Sequence, residues 1–237
     1  MNNSWYPADG EELDSVVSEF LKGAKTLKQE IHGLIVPHAG YVYSGKIAGK
    51  AFGLIDGKKL KNAVVLGPSH YVGFRGIASL KKITTPFGEV KIQKNDFSKI
   101  EYEHSVENQI PFLQKLNLKV KVLPLIIGDI SDEEAERIAE NLLKESVKNT
   151  IFIFSTDLSH FFPYGHAVET DEKTIKAIKN LDLNKFEEID ACGKFPLRIM
   201  MHLCKIKGWK PSLIEYNNSG DVTGDKNSVV GYASFWF

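Results

Sequence analysis

Three short apolar runs in this chain each lead to a histidine. Leu34-Ile35-Val36 runs into Pro37-His38. Ala63-Val64-Val65-Leu66 runs into Gly67-Pro68-Ser69-His70. Ile151-Phe152-Ile153-Phe154 runs into Ser155-Thr156-Asp157-Leu158-Ser159-His160. Short unbroken apolar runs rich in β-branched and aromatic residues read as strands buried on both faces. Such strands belong to parallel sheets covered by helices. If the three are parallel neighbours, their histidines converge at one sheet edge, where open α/β sheets place their sites.

The remaining pattern supplies the helices. Leu13, Val16, Val17, Phe20 and Leu21 recur at helical spacing and predict a helix over 9–28, with Gly23 at a frayed end. Ser44 is the expected N-cap of a helix through Ile47, Ala51 and Ile55. A helix opens at 103–109 and continues to Leu116, with Pro111 in a first turn or at a kink. Ser131 and Glu134 form a capping-box pattern. Further helices are expected over 168–179, 184–189 and 195–207. Strands are expected over 77–80, 90–92, 120–127, 212–216 and 229–237. Pro124 argues for an edge strand or a bulge, and 217–225 reads as a polar, glycine-rich loop. The fold class is α/β: a single domain over 1–237 with a central mostly parallel or mixed sheet flanked by helices.

Composition narrows the partners. Lys plus Arg and Asp plus Glu balance at 30 each. No basic stripe with interleaved aromatics occurs, so nucleic acid is not an expected partner. The first residues lack a basic region followed by an apolar core, and no apolar run approaches the roughly 20 residues of a membrane span. The expectation is a cytoplasmic chain, in which Cys192 and Cys204 stay unpaired.

Of the seven histidines, His38, His70 and His160 hold equivalent strand-end positions, and His104 lies in a loop that reaches the same edge. Imidazole is the commonest metal ligand and suits zinc, copper, iron and nickel. Asp157, Glu107 and Cys192 are the nearby additional donors. Asp157 and His160 stand i, i+3, so the carboxylate is placed to orient the imidazole. Cys192 precedes a glycine and a helix start, a setting that lowers thiol pKa values. Cys204, at core spacing, reads as a packed thiol. His32, His166 and His202 lack such a setting. At the amino terminus, Trp5 and Tyr6 read either as anchors against the body or as a pocket wall.

Trp5-Tyr6-Pro7, Pro37-His38-Ala39-Gly40-Tyr41, Gly67-Pro68-Ser69-His70, Glu103-His104-Ser105-Val106-Glu107, Ser155-Thr156-Asp157-Leu158-Ser159-His160 and Cys192-Gly193 together resemble the successive motifs of the Memo family, in order and over nearly the whole chain. The resemblance implies a fold similar to the class III extradiol (LigB-like) dioxygenases and a pocket metal site. Its implied metal set is His38, His70 and Cys192, with iron(II) or copper as the metal and zinc as a further option. Asp157 and His160 match further pocket residues, read here as the catalytic pair, with His160 as general base or acid and Asp157 orienting it. His104 and Glu107 match the E-H-S motif at the cavity. Tyr41, Tyr71 and Trp5 complete the expected pocket. A thiolate departs from the two-histidine, one-carboxylate site of the extradiol enzymes and favours copper(I) or zinc.

Three functions follow as expectations. The first is a metal-dependent redox enzyme or oxygenase acting on a small molecule. The second is a non-catalytic module that captures a peptide or small molecule in an ancestral pocket. The third uses Cys192 as a nucleophile with His160 as base, without metal.

Overall fold

In a computed structural model, which describes residues 5–23 and 29–237, the chain is a single α/β domain around a ten-stranded mixed sheet. Helix α1 (Gly10–Leu21) is capped by Asp9, whose carboxylate accepts from the N–H groups of Glu11 and Glu12. It ends at Leu21, and Gly23 follows in the left-handed region. Residues 24–28 of the expected helix lie outside the described residues. Strand β1 (Gly33–Val36) leads through one π-turn (Tyr41–Gly45) into α2 (Lys46–Phe52). Ser44 is therefore no N-cap: it lies inside the π-turn, and its hydroxyl donates to the Ala39 carbonyl.

Next come β2 (Asn62–Pro68), β3 (Ile77–Leu80), the small hairpin of β4 (Thr84–Thr85) and β5 (Gly88–Glu89), β6 (Lys91–Ile92) and β7 (Ser98–Ile100). The helix expected from 103 is two helices, α3 (His104–Glu107) and α4 (Ile110–Leu116), with Pro111 in the first turn of the second. Strand β8 (Lys121–Ile127) precedes α5 (Asp132–Glu145), which carries the full Ser131–Glu134 capping box. Strand β9 (Thr150–Ser155), β10 (His160–Phe162), α6 (Tyr164–Asn180), a 3-10 turn (Leu183–Glu188) and α7 (Lys194–Lys207) follow. So part of the expected aromatic loop is a short strand, and α6 starts earlier than its apolar periodicity indicates. The chain closes with β11 (Ser212–Asn218), α8 (Ser219–Thr223) and β12 (Val229–Trp236). Helix α8 interrupts the expected loop because Asn218 caps it, accepting from Gly220 and Asp221.

The sheet order is β10-β12-β1-β9-β2-β8-β3-β7, with β11 on β12 and β6 on β8. Its centre, β1-β9-β2-β8, is parallel, while β12 and β3 flank it antiparallel. Alternate side chains fill two cores. Ile35, Val64, Leu66, Phe152 and Phe154 pack on one face with residues of α5, α6 and α7. Leu34, Val36, Ala63, Val65, Ile151 and Ile153 pack on the other with α1, α2 and α4. Apolar residues on both faces explain why these strands read as continuous runs.

Pro124 lies in an internal strand, which corrects the edge reading. The Val122 carbonyl accepts from Gln93 on the side away from β2, so Pro124, two residues on, turns its ring nitrogen the same way. There β6 pairs only with Lys121 and Val122, and β3 only from Leu125 onward. The proline fills a gap between two short neighbours, where no N–H is required.

No helix among the described residues is long and apolar enough to cross a membrane. Ser131→Ala removes the cap of α5 and is expected to lower the unfolding free energy by about 1 kcal/mol, read as a shifted urea midpoint at unchanged slope.

Candidate functional site

Strands β1, β9 and β2 are adjacent and parallel, so their carboxyl ends share one edge. His38 lies two residues past β1, Asp157 two past β9 and His70 two past β2. The His38 and His70 rings sit 5.1 Å apart in an edge-to-face arrangement. The imidazole that joins them is His104, from the first turn of α3, at 5.4 Å from His38 and 4.5 Å from His70. One nitrogen from each of the three lies within 4.8 Å of the others. His38 and His104 are buried, and His70 is exposed, so the cluster opens on the His70 side.

Glu103, just before α3, organises two of the rings. It is 1% exposed. Its carboxylate accepts from the His70 backbone N–H at 2.7 Å, from His70 Nδ1 at 3.0 Å and from the Ser105 N–H at 3.0 Å. His104 Nδ1 lies 3.2 Å from the same carboxylate, off the axis of a good hydrogen bond. Burial by itself would raise the Glu103 pKa. The close approach of the His104 imidazole and the hydrogen bonds from His70 and the Ser105 N–H outweigh it and hold the carboxyl far below its ordinary range. In the sequence, Glu103 stands inside the Glu103-His104-Ser105 motif with no role of its own. The available signal was an acidic residue directly before a histidine at a helix start.

His38 is fixed differently. Ser155 Oγ donates to the Ser105 carbonyl at 2.5 Å. Its only proton is thereby used, so it accepts from Gln109 Nε2 and from His38 Nδ1, both at 2.9 Å. His38 thus carries its proton on Nδ1 and presents a bare Nε2. Burial first, then the neighbouring His104 and His70, lower its pKa well below the usual value. His70 donates Nδ1 to a carboxylate, and His104 sets its Nδ1 against the same one, so in neutral form their Nε2 atoms are the free ones too. Asn108 and Gln109, also missed in the sequence, lock this end together: their amides donate to the carbonyls of His38 and Pro37. Ser105 Oγ donates to the Pro68 carbonyl at 2.8 Å. A Cβ on Gly67 would stand 2.4 Å from that hydroxyl, so α3 reaches the end of β2 only because position 67 is glycine.

The other expected residues fall around this cluster. Cys192 Sγ lies 3.2 Å from His38 Nε2 and accepts from the Asp157 N–H at 3.2 Å. It is not one of the three mutually close donors. Its thiol pKa is pushed up, by burial and then by the Asp157 charge. That is the opposite of the lowering expected from the start of α7.

Asp157 accepts from the His38 and Ala39 N–H groups through Oδ1, and its Oδ2 is 3.9 Å from His38 Nε2. Its carboxylate makes no hydrogen bond to His160, so the expected pairing gives way to contact with His38. His160 sits half-buried in β10, paired to β12, beside the Phe161 ring.

Trp5 stacks on His104 at 4.3 Å and 8°, and the Tyr6 hydroxyl donates to Glu107 Oε1 at 2.9 Å. The terminus is therefore both anchor and wall. Tyr71 is exposed, with its ring 5.5 Å from His104. Tyr41 is buried among Tyr6, Phe20 and Phe112 and donates to the Asn108 carbonyl, so it backs the site from the core.

His32 stacks on Trp209, His166 lies against Phe162, and His202 pairs with Asp132. Cys204 is buried beside Met200. A cavity of about 480 Å³ opens at the opposite end of the sheet, among His32, Asp56, Lys59 and Asn149. None of the expected site residues lines it.

Glu103→Gln should show what the buried charge contributes. A depressed carboxyl stabilises the fold above its unfolded pKa, near 4.3, and that contribution is lost as pH falls below it. At pH 7 the variant is expected to be less stable by about 1–3 kcal/mol. Below about pH 4.5 the gap narrows. Urea unfolding at pH 7 and at about pH 3.5 measures both.

The chain matches the family model described as Memo-like protein over residues 2–236. It is similar to a MEMO1 family protein of Methanococcoides burtonii, at 36% identity over 97% of this chain and 95% of that one. It is similar also to MEMO1 family proteins of Archaeoglobus fulgidus, at 33% over 99% and 96%, and of Methanosarcina acetivorans, at 33% over 97% and 94%.

Proposed function

The chain belongs to the Memo family, and on that premise we propose that the histidine cluster at its sheet edge holds iron(II) or copper and acts on a small molecule by redox chemistry. One observation carries this reading. The Nδ1 atoms of His38 and His70 are spoken for by Ser155 and Glu103, and that of His104 faces Glu103, which leaves three Nε2 lone pairs on neighbouring rings. Histidine ligands to metals are oriented this way, each by a partner on its other nitrogen. Three neutral nitrogens suit iron, copper and zinc alike. Zinc would fit the donors but would supply no redox change.

Two donor sets share His38 and His70. His104 completes one and Cys192 the other. Mutual proximity supports the three-histidine set, and the thiol beside His38 is the neighbour that tunes it. When bound, the metal supplies a Lewis-acidic, redox-active centre. The chain's own groups do the rest. His70 forms the open side, and Asp157 holds the His38 backbone in place. His160, in β10 past the end of β9, is assigned the proton transfer.

A second reading has its own support. Val42, Tyr43, Tyr71, Val72 and Phe161 are exposed and lie on the segments that follow β1, β2 and β9. Apolar residues around a mouth suit capture of a peptide or small molecule without turnover.

Anaerobic loading with iron(II) or copper, followed by element analysis, tests the first reading. One metal per chain is expected, with a raised melting temperature and oxygen uptake on a substrate panel. His70→Ala and His104→Ala should each weaken metal binding about 10- to 100-fold, whereas Cys192→Ser should weaken it less. Copper should quench tryptophan fluorescence in the wild type and less in Trp5→Phe, because Trp5 stacks on His104. Full metal retention in a His38→Ala, His70→Ala double variant would defeat the assignment. A chain that takes up no metal at all leaves the capture reading.

A further inference from the structure

Away from the histidine cluster, one helix face is polar where a core would be apolar. Asp171 and Thr174 stand three residues apart in α6 and so share a face. Both are fully buried. Neither residue type is favoured inside a helix, and aspartate is almost never fully buried unless it is paired. Their partners lie outside the helix. Asp171 Oδ1 accepts from the Ser159 N–H at 2.9 Å, and its Oδ2 accepts from the Tyr216 hydroxyl of β11 at 2.8 Å. Thr174 Oγ1 accepts from the Asp190 N–H at 3.1 Å.

Those two N–H groups belong to the segments that carry the remaining site residues. Ser159 stands between Asp157 and His160, and Asp190 stands two residues before Cys192. The first segment is strained. Phe161 has φ +62°, a left-handed conformation that bulky residues rarely adopt, and the β10–β12 pairing shifts register between His160 and Phe162. Bulges re-aim neighbouring side chains, and such strain persists only where the surroundings over-determine the backbone. Asp171 and β12 together supply that hold. The Leu158 N–H donates to the Gly231 carbonyl at 2.8 Å, and the Gly231 N–H donates to the Ser159 carbonyl at 2.9 Å. A Cβ on Gly231 would stand 2.0 Å from Asp171 Oδ2, so α6 closes on β12 only because position 231 is glycine. The two segments are also tied to each other: the Cys192 N–H donates to the Asp157 carbonyl at 3.3 Å, and the Gly193 N–H donates to Thr156 Oγ1 at 2.9 Å.

We infer that Asp171 and Thr174 are positioning residues of the site: α6 grips the Asp157–His160 segment through one and the Cys192 segment through the other. The inference rests on the redox reading above, which assigns the proton transfer to His160, and it names what holds that residue in place. The hydrogen bonds of Asp171 and Thr174 reach none of the three clustered imidazoles. Loss of the grip therefore acts on turnover more than on metal binding.

Amide hydrogen exchange of the full chain, read by NMR, tests the grip. Asp171→Ala should speed exchange at Leu158, Ser159 and Gly231 about tenfold or more while the β2 amides stay within about twofold of wild type. Asp171→Asn keeps an oxygen for the Ser159 N–H and should restore protection to within about threefold. Thr174→Val, close in shape, should speed exchange at Asp190 and Cys192 about fivefold or more and spare Ser159, which keeps the proposal testable should Asp171→Ala not fold. Oxygen uptake per bound metal should fall about tenfold in Asp171→Ala, with metal content retained and partial rescue in Asp171→Asn. Unchanged exchange at Ser159 in Asp171→Ala, or at Asp190 in Thr174→Val, would overturn the grip. So would exchange that rises equally in β2, the mark of a general loss of stability. A freed segment with full uptake per metal would overturn the positioning role. A wild-type chain with no uptake at all removes the redox reading, and the exchange pattern still upholds or overturns the grip.

Discussion

A buried, ionised carboxylate sets the order of this sheet edge. Glu103 is almost without solvent, and burying a charge is costly unless it is hydrogen-bonded throughout. Its partners come from two segments: the His70 backbone and ring past the end of β2, and the Ser105 N–H of α3, with the His104 ring in contact beside it. The carboxylate therefore fixes the distance between His70 and His104, and with it the width of the cluster. Gly67 permits the approach, and the Ser105 hydroxyl on the Pro68 carbonyl secures it. Local backbone sterics, a buried charge and ring geometry are one constraint here, seen at three scales.

The sheet supplies the other half. Parallel pairing of β1, β9 and β2 sets Ile35, Phe154 and Leu66 side by side, so the three chains leave the sheet at a common level just beyond. That level is polar. Ser155, Gln109 and Asn108 form a buried network that hydrogen-bonds His38 on its ring and its carbonyl. Buried networks rigidify what they touch when their bonds are made. Some acceptors stay unpaired, namely Asn108 Oδ1 and Gln109 Oε1, and both lie at the α3–α4 junction. The helix break after Glu107 thus has a use: it turns two amides inward to hold a histidine from a different strand.

Much of this was legible in the sequence, for physical reasons that differ by element. The three histidine-tipped strands were readable because a strand buried on both faces cannot alternate. The capping box on α5 was readable because both partners lie within four residues. His104 was harder. Its helix spans four residues, too short for periodicity, and its role depends on contact with segments about seventy and thirty-five positions away in sequence, an order-of-magnitude separation that no local window covers. The pairing of Asp157 with His160 failed for a related reason. Their spacing suits a helical turn, but the chain runs extended into β10 there, carrying His160 toward β12 while Asp157 turns to the His38 backbone. Pro124 misled because a proline's tolerance depends on which neighbour its ring nitrogen faces, and that is a property of strand lengths elsewhere in the sheet.

Charge balance bears on which donors a metal would use. Glu103 is held ionised, and Asp157 lies within 4 Å of His38 Nε2. Two carboxylates beside three neutral imidazoles already match a divalent cation. A thiolate would add a third negative charge in a site where no lysine or arginine among the described residues pairs with Glu103 or Asp157. Without a cation, burial and Asp157 keep Cys192 protonated. Only a cation bound close to the sulfur would reverse that, and the gain would be greatest for a soft metal such as copper(I). The same cluster therefore distinguishes its occupants by charge and softness: three histidines suffice for a divalent ion, and the thiol adds most where the ion is monovalent and prefers sulfur.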